Sequence, residues 1–159
     1  MKKYTLVLIA LLLFLTGCEV AKEEGKKGNY KEGTYFGTYE YEYSGQKDVA
    51  TAVIYVDANG FIKSCFIDTT YMKDEVYTTK KTLGDAYGMK ATSANIGTIA
   101  GGAEWYEQIK AIEDKIVEDQ GIEWVKYDAE GSKLDGFTGA TIKVADLMKA
   151  VDAALAKAK

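Results

Sequence analysis

The chain contains no histidine, no proline and no arginine; all 20 basic residues are lysine. Without histidine, a Ser-His-Asp or Cys-His nucleophilic site is excluded, and so is any histidine-ligated metal. Without arginine there is no planar fork to grip a phosphate in two-point fashion. A phosphate-bearing ligand must then be held by lysine, hydroxyls, backbone N–H groups or a covalent bond. Without proline, every turn has to come from Gly, Asn, Asp and Ser. Basic surplus is missing too: the net charge is −4, which argues against a nucleic-acid partner, because such binders need a basic face. There are two cysteines, Cys18 and Cys65.

What is present begins with an export pattern. Met1-Lys2-Lys3 is positive, Tyr4 to Leu15 is almost wholly apolar, and Leu15-Thr16-Gly17-Cys18 places small residues before a cysteine. The apolar run is too short to span a bilayer. The four-residue ending resembles a bacterial lipoprotein box. That resemblance implies a signal peptide over 1–17, cleavage before Cys18 and lipid on Cys18, anchoring the protein on the outer face of the cytoplasmic membrane. Cys65 would then be the one free thiol. It alternates with apolar neighbours, so it reads as a small buried hydrophobe. Residues 18–31, CEVAKEEGKKGNYK, are charged and aperiodic and read as a flexible tether.

From residue 32 the pattern has period two. Thr34 to Tyr43 places Tyr35, Tyr39, Tyr41 and Tyr43 on one face and Glu40 and Glu42 on the other. Val49 to Val56 and Phe61 to Thr69 read as two more strands, with Asp57-Ala58-Asn59-Gly60 as the turn between them. Thr70 to Gly102 reads as a short helix and a long glycine-bearing loop. A helix from about Ala103 carries Trp105, Ile109, Ile112 and Ile116 on one face and ends at Gly121. Ile122 to Tyr127 reads as a further strand, with Trp124 in the core. The last helix runs from about Thr141, with Val144, Leu147, Met148, Val151 and Leu155 inward. The expected fold is α+β: an antiparallel meander followed by helices packed on it, forming one domain over 32–159.

The stretch DGFTGATI at 135–142 stands at the expected entrance of that last helix. Helix N-termini offer free N–H groups that attract anions, and Gly and Ala let a bulky ligand approach the backbone. Thr138 and Thr141 add hydroxyls. A threonine-capped turn explains the same residues, so on this stretch alone both readings stand. No G-x-x-x-x-G-K-[ST] or G-x-G-x-x-G loop occurs.

The D-G-x-T-G-A-T pattern of Asp135, Gly136, Thr138, Gly139, Ala140 and Thr141, with Phe137 at the free position, resembles the attachment motif of the FMN-binding domain family. That family includes flavin subunits of sodium-pumping NADH:quinone reductases and Rnf complexes, and flavin-carrying lipoproteins of Gram-positive bacteria. Glu32-Gly33-Thr34-Tyr35, Tyr87-Gly88-Met89 and Glu104-Trp105-Tyr106-Glu107-Gln108 resemble stretches of the lipoprotein members. The resemblance implies that a flavin transferase joins the phosphate of FMN to Thr141 as a phosphoester. It further implies electron transfer from a membrane donor, a quinol or flavoprotein, to an external acceptor such as ferric iron or an extracytoplasmic reductase. The flat, mostly apolar ring needs aromatic or aliphatic walls; Trp105, Tyr106, Tyr87 and Met89 are the candidates, and Lys133 is a candidate for the phosphate charge. No acid–base pair for catalysis stands out. Two other readings remain: a lipoprotein that reversibly binds FMN or another phosphate-bearing small ligand, and a stand-alone extracytoplasmic reductase.

Overall fold

The computed structural model describes residues 27–159; the expected signal peptide, Cys18 and most of the expected tether lie outside the described residues. Four strands follow one another as an antiparallel meander in the order β1-β2-β3-β4: Gly33–Tyr43, Gln46–Val56, Ile62–Lys73 and Val76–Thr79. Short helical pieces come next, α1 (Lys80–Leu83), a 3-10 turn (Gly84–Tyr87) and α2 (Lys90–Ile96). Two long helices, α3 (Trp105–Asp119) and α4 (Ala145–Ala158), complete a single α+β domain.

The β1–β2 turn is only Ser44-Gly45, both at positive φ (53° and 79°), the backbone twist that a two-residue hairpin requires. The register then sets inward residues in rows, Tyr35–Ile54–Cys65, Gly37–Ala52–Ile67 and Tyr39–Ala50–Thr69. An irregularity at Tyr55/Val56 pairs Val56 with Ile62 while Tyr55 pairs with Ser64. The extra residue in β3 lets both Ile62 and Cys65 face inward, although they are three apart. The burial of Cys65 pushes its thiol up to about 12, with Glu113 adding to the rise, so at neutral pH it is a packed, protonated hydrophobe. On the outer face Phe36, Val53 and Phe66 stand in register.

Both long helices cover the inner face. α3 packs against β3, and α4 packs against β1 and β2. Ile109, Ile112 and Ile116 of α3 and Val151, Ala150 and Ala154 of α4 are fully buried. The small residues of α4 bring its backbone close to the sheet. A Cβ placed on Gly37 of β1 would come 2.1 Å from the Ala150 carbonyl oxygen and 2.6 Å from the Ala154 amide. Glu113 of α3 is buried and accepts from the Ile67 amide and from the Lys81 ammonium. Ile67 lies on the part of β3 that β4 does not reach, so this carboxylate satisfies a donor that the ladder leaves open. Burial pushes the Glu113 carboxyl up, against the pull of Lys81 and the Ile67 amide.

Four expectations are corrected. The chain after Thr69 is not a loop: β3 runs on to Lys73 and pairs with β4. Ile122 to Tyr127 is not a strand. Trp124 Nε1 donates to the Gly121 carbonyl and the Val125 amide to that of Ile122, closing the segment into turns; Tyr127 retains one isolated bridge, to Leu134. Trp124 is half-buried against Phe137 rather than fully in the core. The last helix begins at Ala145, not Thr141, because the Val144 and Ala145 amides both donate to the Ser132 carbonyl (2.8 and 3.3 Å). Ile142 and Val144 turn inward before the helix starts, with Lys143 outward between them.

Replacing Gly37 by Val should destabilise the domain by about 1–3 kcal/mol, because α4 must lift off the sheet. Urea denaturation checks this; an unchanged midpoint would show that α4 has room to spare.

Candidate functional site

Five backbone segments meet beside the start of α4. The Tyr127–Leu134 bridge closes a narrow turn in which Asp128 Oδ1 accepts from the Ser132 and Lys133 amides (2.9 and 3.2 Å). Those amides hold the Asp128 carboxyl below its usual range. The motif residues follow this turn. On the other side, Glu104 at the entrance of α3 accepts from the Met89 and Lys90 amides (2.8 and 3.0 Å). One carboxylate thus caps α2 and ties it to α3.

Gln108 lies at the centre and is fully buried. Its Oε1 accepts from both the amide (2.8 Å) and the hydroxyl (3.2 Å) of Thr141. Its Nε2 donates to the Ala103 carbonyl (3.0 Å) and to Ser93 Oγ (3.3 Å), with Met89 Sδ at 3.6 Å. The amide side chain is satisfied at both ends, which makes its burial tolerable. It also fixes the Thr141 backbone relative to α2 and α3.

Two adjoining cavities open here, of about 280 and 300 Å³, and Thr141, Lys133 and Ile96 line both. The first is walled by Tyr87, Met89 and Trp105, with Tyr41 and Lys80. Tyr87 stacks edge-on against Tyr71 at 5.2 Å, and burial pushes its phenol up to about 12. Trp105 is 2% exposed; it belongs to the core and to the cavity wall at once. Ser132 Oγ, on the same wall, is buried without a hydrogen-bond partner. The second cavity is lined by Asp135, Gly136, Thr138 and Ala140 of the motif.

The structure therefore brings Tyr87, Met89, Trp105 and Thr141 to one cavity and most of the motif to its neighbour. Gly139 lines neither; it sits where a Cβ would press on the Phe137 ring and Ala111. Tyr106 does not reach the cavities, because its hydroxyl donates to Asp85 (3.0 Å) on another side of α3. Thr141 precedes α4 by a full turn, so the dipole argument for the motif weakens. Sequence reasoning missed Gln108, Ser132 and Lys80. The available signal for Gln108 was a glutamine three residues after Trp105, inside the apolar stripe of α3. Among the described residues no group of His, Cys, Asp and Glu side chains is placed to hold a metal.

No family model and no curated protein matches the chain. Among solved structures it is similar to a Clostridium thermocellum protein determined by solution NMR, at 32% identity. The match covers 80% of this chain and 91% of that one, with a TM-score of 0.50. The chain belongs to the same family as that protein.

Gln108→Leu keeps the side-chain volume but strands the Thr141 amide and the Ala103 carbonyl. It should cost about 1–3 kcal/mol of stability and speed hydrogen exchange at the Thr141 amide beyond what the global loss explains. Unaltered exchange at that amide would remove Gln108 as its anchor.

Proposed function

We propose that this protein is a membrane-anchored electron carrier holding FMN through a phosphoester to Thr141. The observation that carries the reading is the position of the Thr141 side chain. It lines both an aromatic-walled cavity and the cavity bounded by the motif, on a backbone pinned by Gln108. The residues present fit the group. Tyr87, Met89 and Trp105 give a flat ring apolar walls. Ser132 Oγ is a buried polar atom in want of a partner. Lys133, between the two cavities, is placed to meet phosphate charge.

The chain's own part is retention and placement. With no arginine in the sequence, a reversible phosphate clamp would rest on lysines and hydroxyls alone. An ester removes dissociation altogether, which matters on a membrane face where a free cofactor is lost by dilution. Gln108 Oε1 accepts a hydrogen bond from the Thr141 hydroxyl, which orients that hydroxyl. Once esterified, Thr141 loses that donor but keeps its amide bond to Gln108, so the anchor survives the modification. Bound FMN supplies the electron chemistry, accepting electrons in pairs or singly. Trp105 and Tyr87 exclude water from the ring. In this reading a flavin transferase installs the cofactor. Electrons come from a membrane quinol or flavoprotein and pass to ferric iron or an extracytoplasmic reductase. Lipid on Cys18 and the 18–31 tether keep the domain at the membrane.

Denaturing electrophoresis of protein from cells containing the transferase gives the test. The band should fluoresce as flavin. Fluorescence should fall to background in Thr141→Ala and persist in Thr92→Ala, which removes a different hydroxyl on the same cavity. A dark wild-type band would instead favour a lipoprotein that binds a phosphate-bearing ligand reversibly.

A further inference from the structure

Lys80 opens α1, immediately after β4, and its side chain reaches the aromatic cavity. The ammonium lies 5.2 Å from the centroid of the Tyr87 ring, 5.6 Å from Trp105 and 5.8 Å from Tyr71. Three π faces surround one cation. None of the ion pairs among the described residues includes it. Burial lowers the Lys80 pKa, and the buried carboxylates of Asp48 and Asp68 oppose that by attracting the ammonium. Both are engaged nearby: Asp48 Oδ1 accepts from Gln46 and Thr70, and Asp68 Oδ1 from the Thr69 and Lys81 amides.

An ammonium carries three donors and no acceptor. Ring faces attract it but do not replace hydrogen bonds from water. Its charge is screened less than that of a solvated lysine. Two other lysines line the same cavity, but Lys143 is exposed and Lys133 is half-buried outside the ring cluster. Asp146, the one acid on the wall, is paired with Lys149. Among the lysines on this cavity, Lys80 is therefore the one whose ammonium stands against three ring faces.

We propose that Lys80 makes this cavity selective for negative charge on a flat aromatic guest. For the physiological guest the inference rests on the flavin reading; the charge preference itself does not. If the guest is FMN, two electrons and one proton from the membrane donor reach a neutral ring. The ring then bears one net negative charge, which the ammonium stabilises. Lys80 thereby raises the midpoint potential of the bound cofactor.

The test has two arms. In the first, the full chain is made in cells lacking the transferase and titrated with 2-naphthoate and 2-naphthamide, two rings of one shape that differ in charge. Wild type should prefer the anion by about tenfold or more, a ratio that at equilibrium is a difference in binding free energy. Lys80→Met should lose the preference, and Lys80→Arg, which restores the charge, should keep it. Equal affinity for both probes in wild type, no binding of either, or a preference that survives in Lys80→Met overturns the proposal.

In the second arm, protein shown by intact mass to carry flavin is titrated in a spectroelectrochemical cell. Lys80→Met should lower the ratio of reduced to oxidised cofactor about tenfold at fixed potential, or about 30 mV for a two-electron couple. An unchanged potential overturns the consequence for flavin. A chain with no flavin by mass defeats the parent reading, and the naphthoate titration still decides the role of Lys80.

Discussion

One buried amide holds the site together. Gln108 sits in the apolar stripe of α3, and its carbonyl oxygen takes both the amide and the hydroxyl of Thr141. Its nitrogen is spent on the turn before α3 and on α2. A buried polar group that is satisfied at both ends specifies geometry more sharply than an apolar one, since any shift leaves a donor or acceptor stranded. Thr141 thus takes its place from α3, not from the helix that follows it.

That arrangement works only because α3 and α4 are themselves fixed. The sheet supplies the floor. Gly37 and the alanines of α4 allow a helix backbone to lie almost on β1, and Glu113 joins α3 to the open edge of β3. Glu104 then carries the order outward to α2, which brings Met89 and Ser93 to the cavity. Charge follows the same plan. Asp68, Glu104 and Glu113 are buried where they accept from backbone amides, and Asp48 where it accepts from Gln46 and Thr70, while the ammonium of Lys80 is held among rings.

The first three strands were legible because apolar and polar residues alternate over most of their length and the two turns between them carry Gly with Asn or Ser. The inward faces of α3 and α4 were legible for the analogous reason at helical spacing. What sequence reasoning missed depends on distant partners. β4 is four residues long, and Asp68 reaches across to the Lys81 amide just after it. The apolar, β-forming residues of Ile122–Tyr127 suggested a strand, but the left-handed Gln120 and the turn at Trp124 fold them back. Ile142 and Val144 extended the apolar period of α4 backward past its true start; the Ser132 carbonyl, which takes the Val144 and Ala145 amides, sets that boundary. For the site, the resemblance of the motif pointed to Thr141 and, through the flat ring it implies, to Tyr87, Met89 and Trp105 as walls. Gln108 was hidden because a polar residue in an apolar stripe looks like an interruption rather than a hub.

The proposed carrier role stands on one bond, the ester between Thr141 and the phosphate of FMN. Peptide mapping by mass spectrometry of protein extracted from membranes, in a host that possesses the transferase, tests that bond directly. The peptide containing Thr141 should be heavier by one FMN less water, with the added mass on the threonine side chain. Recovery of that peptide unmodified would contradict the account.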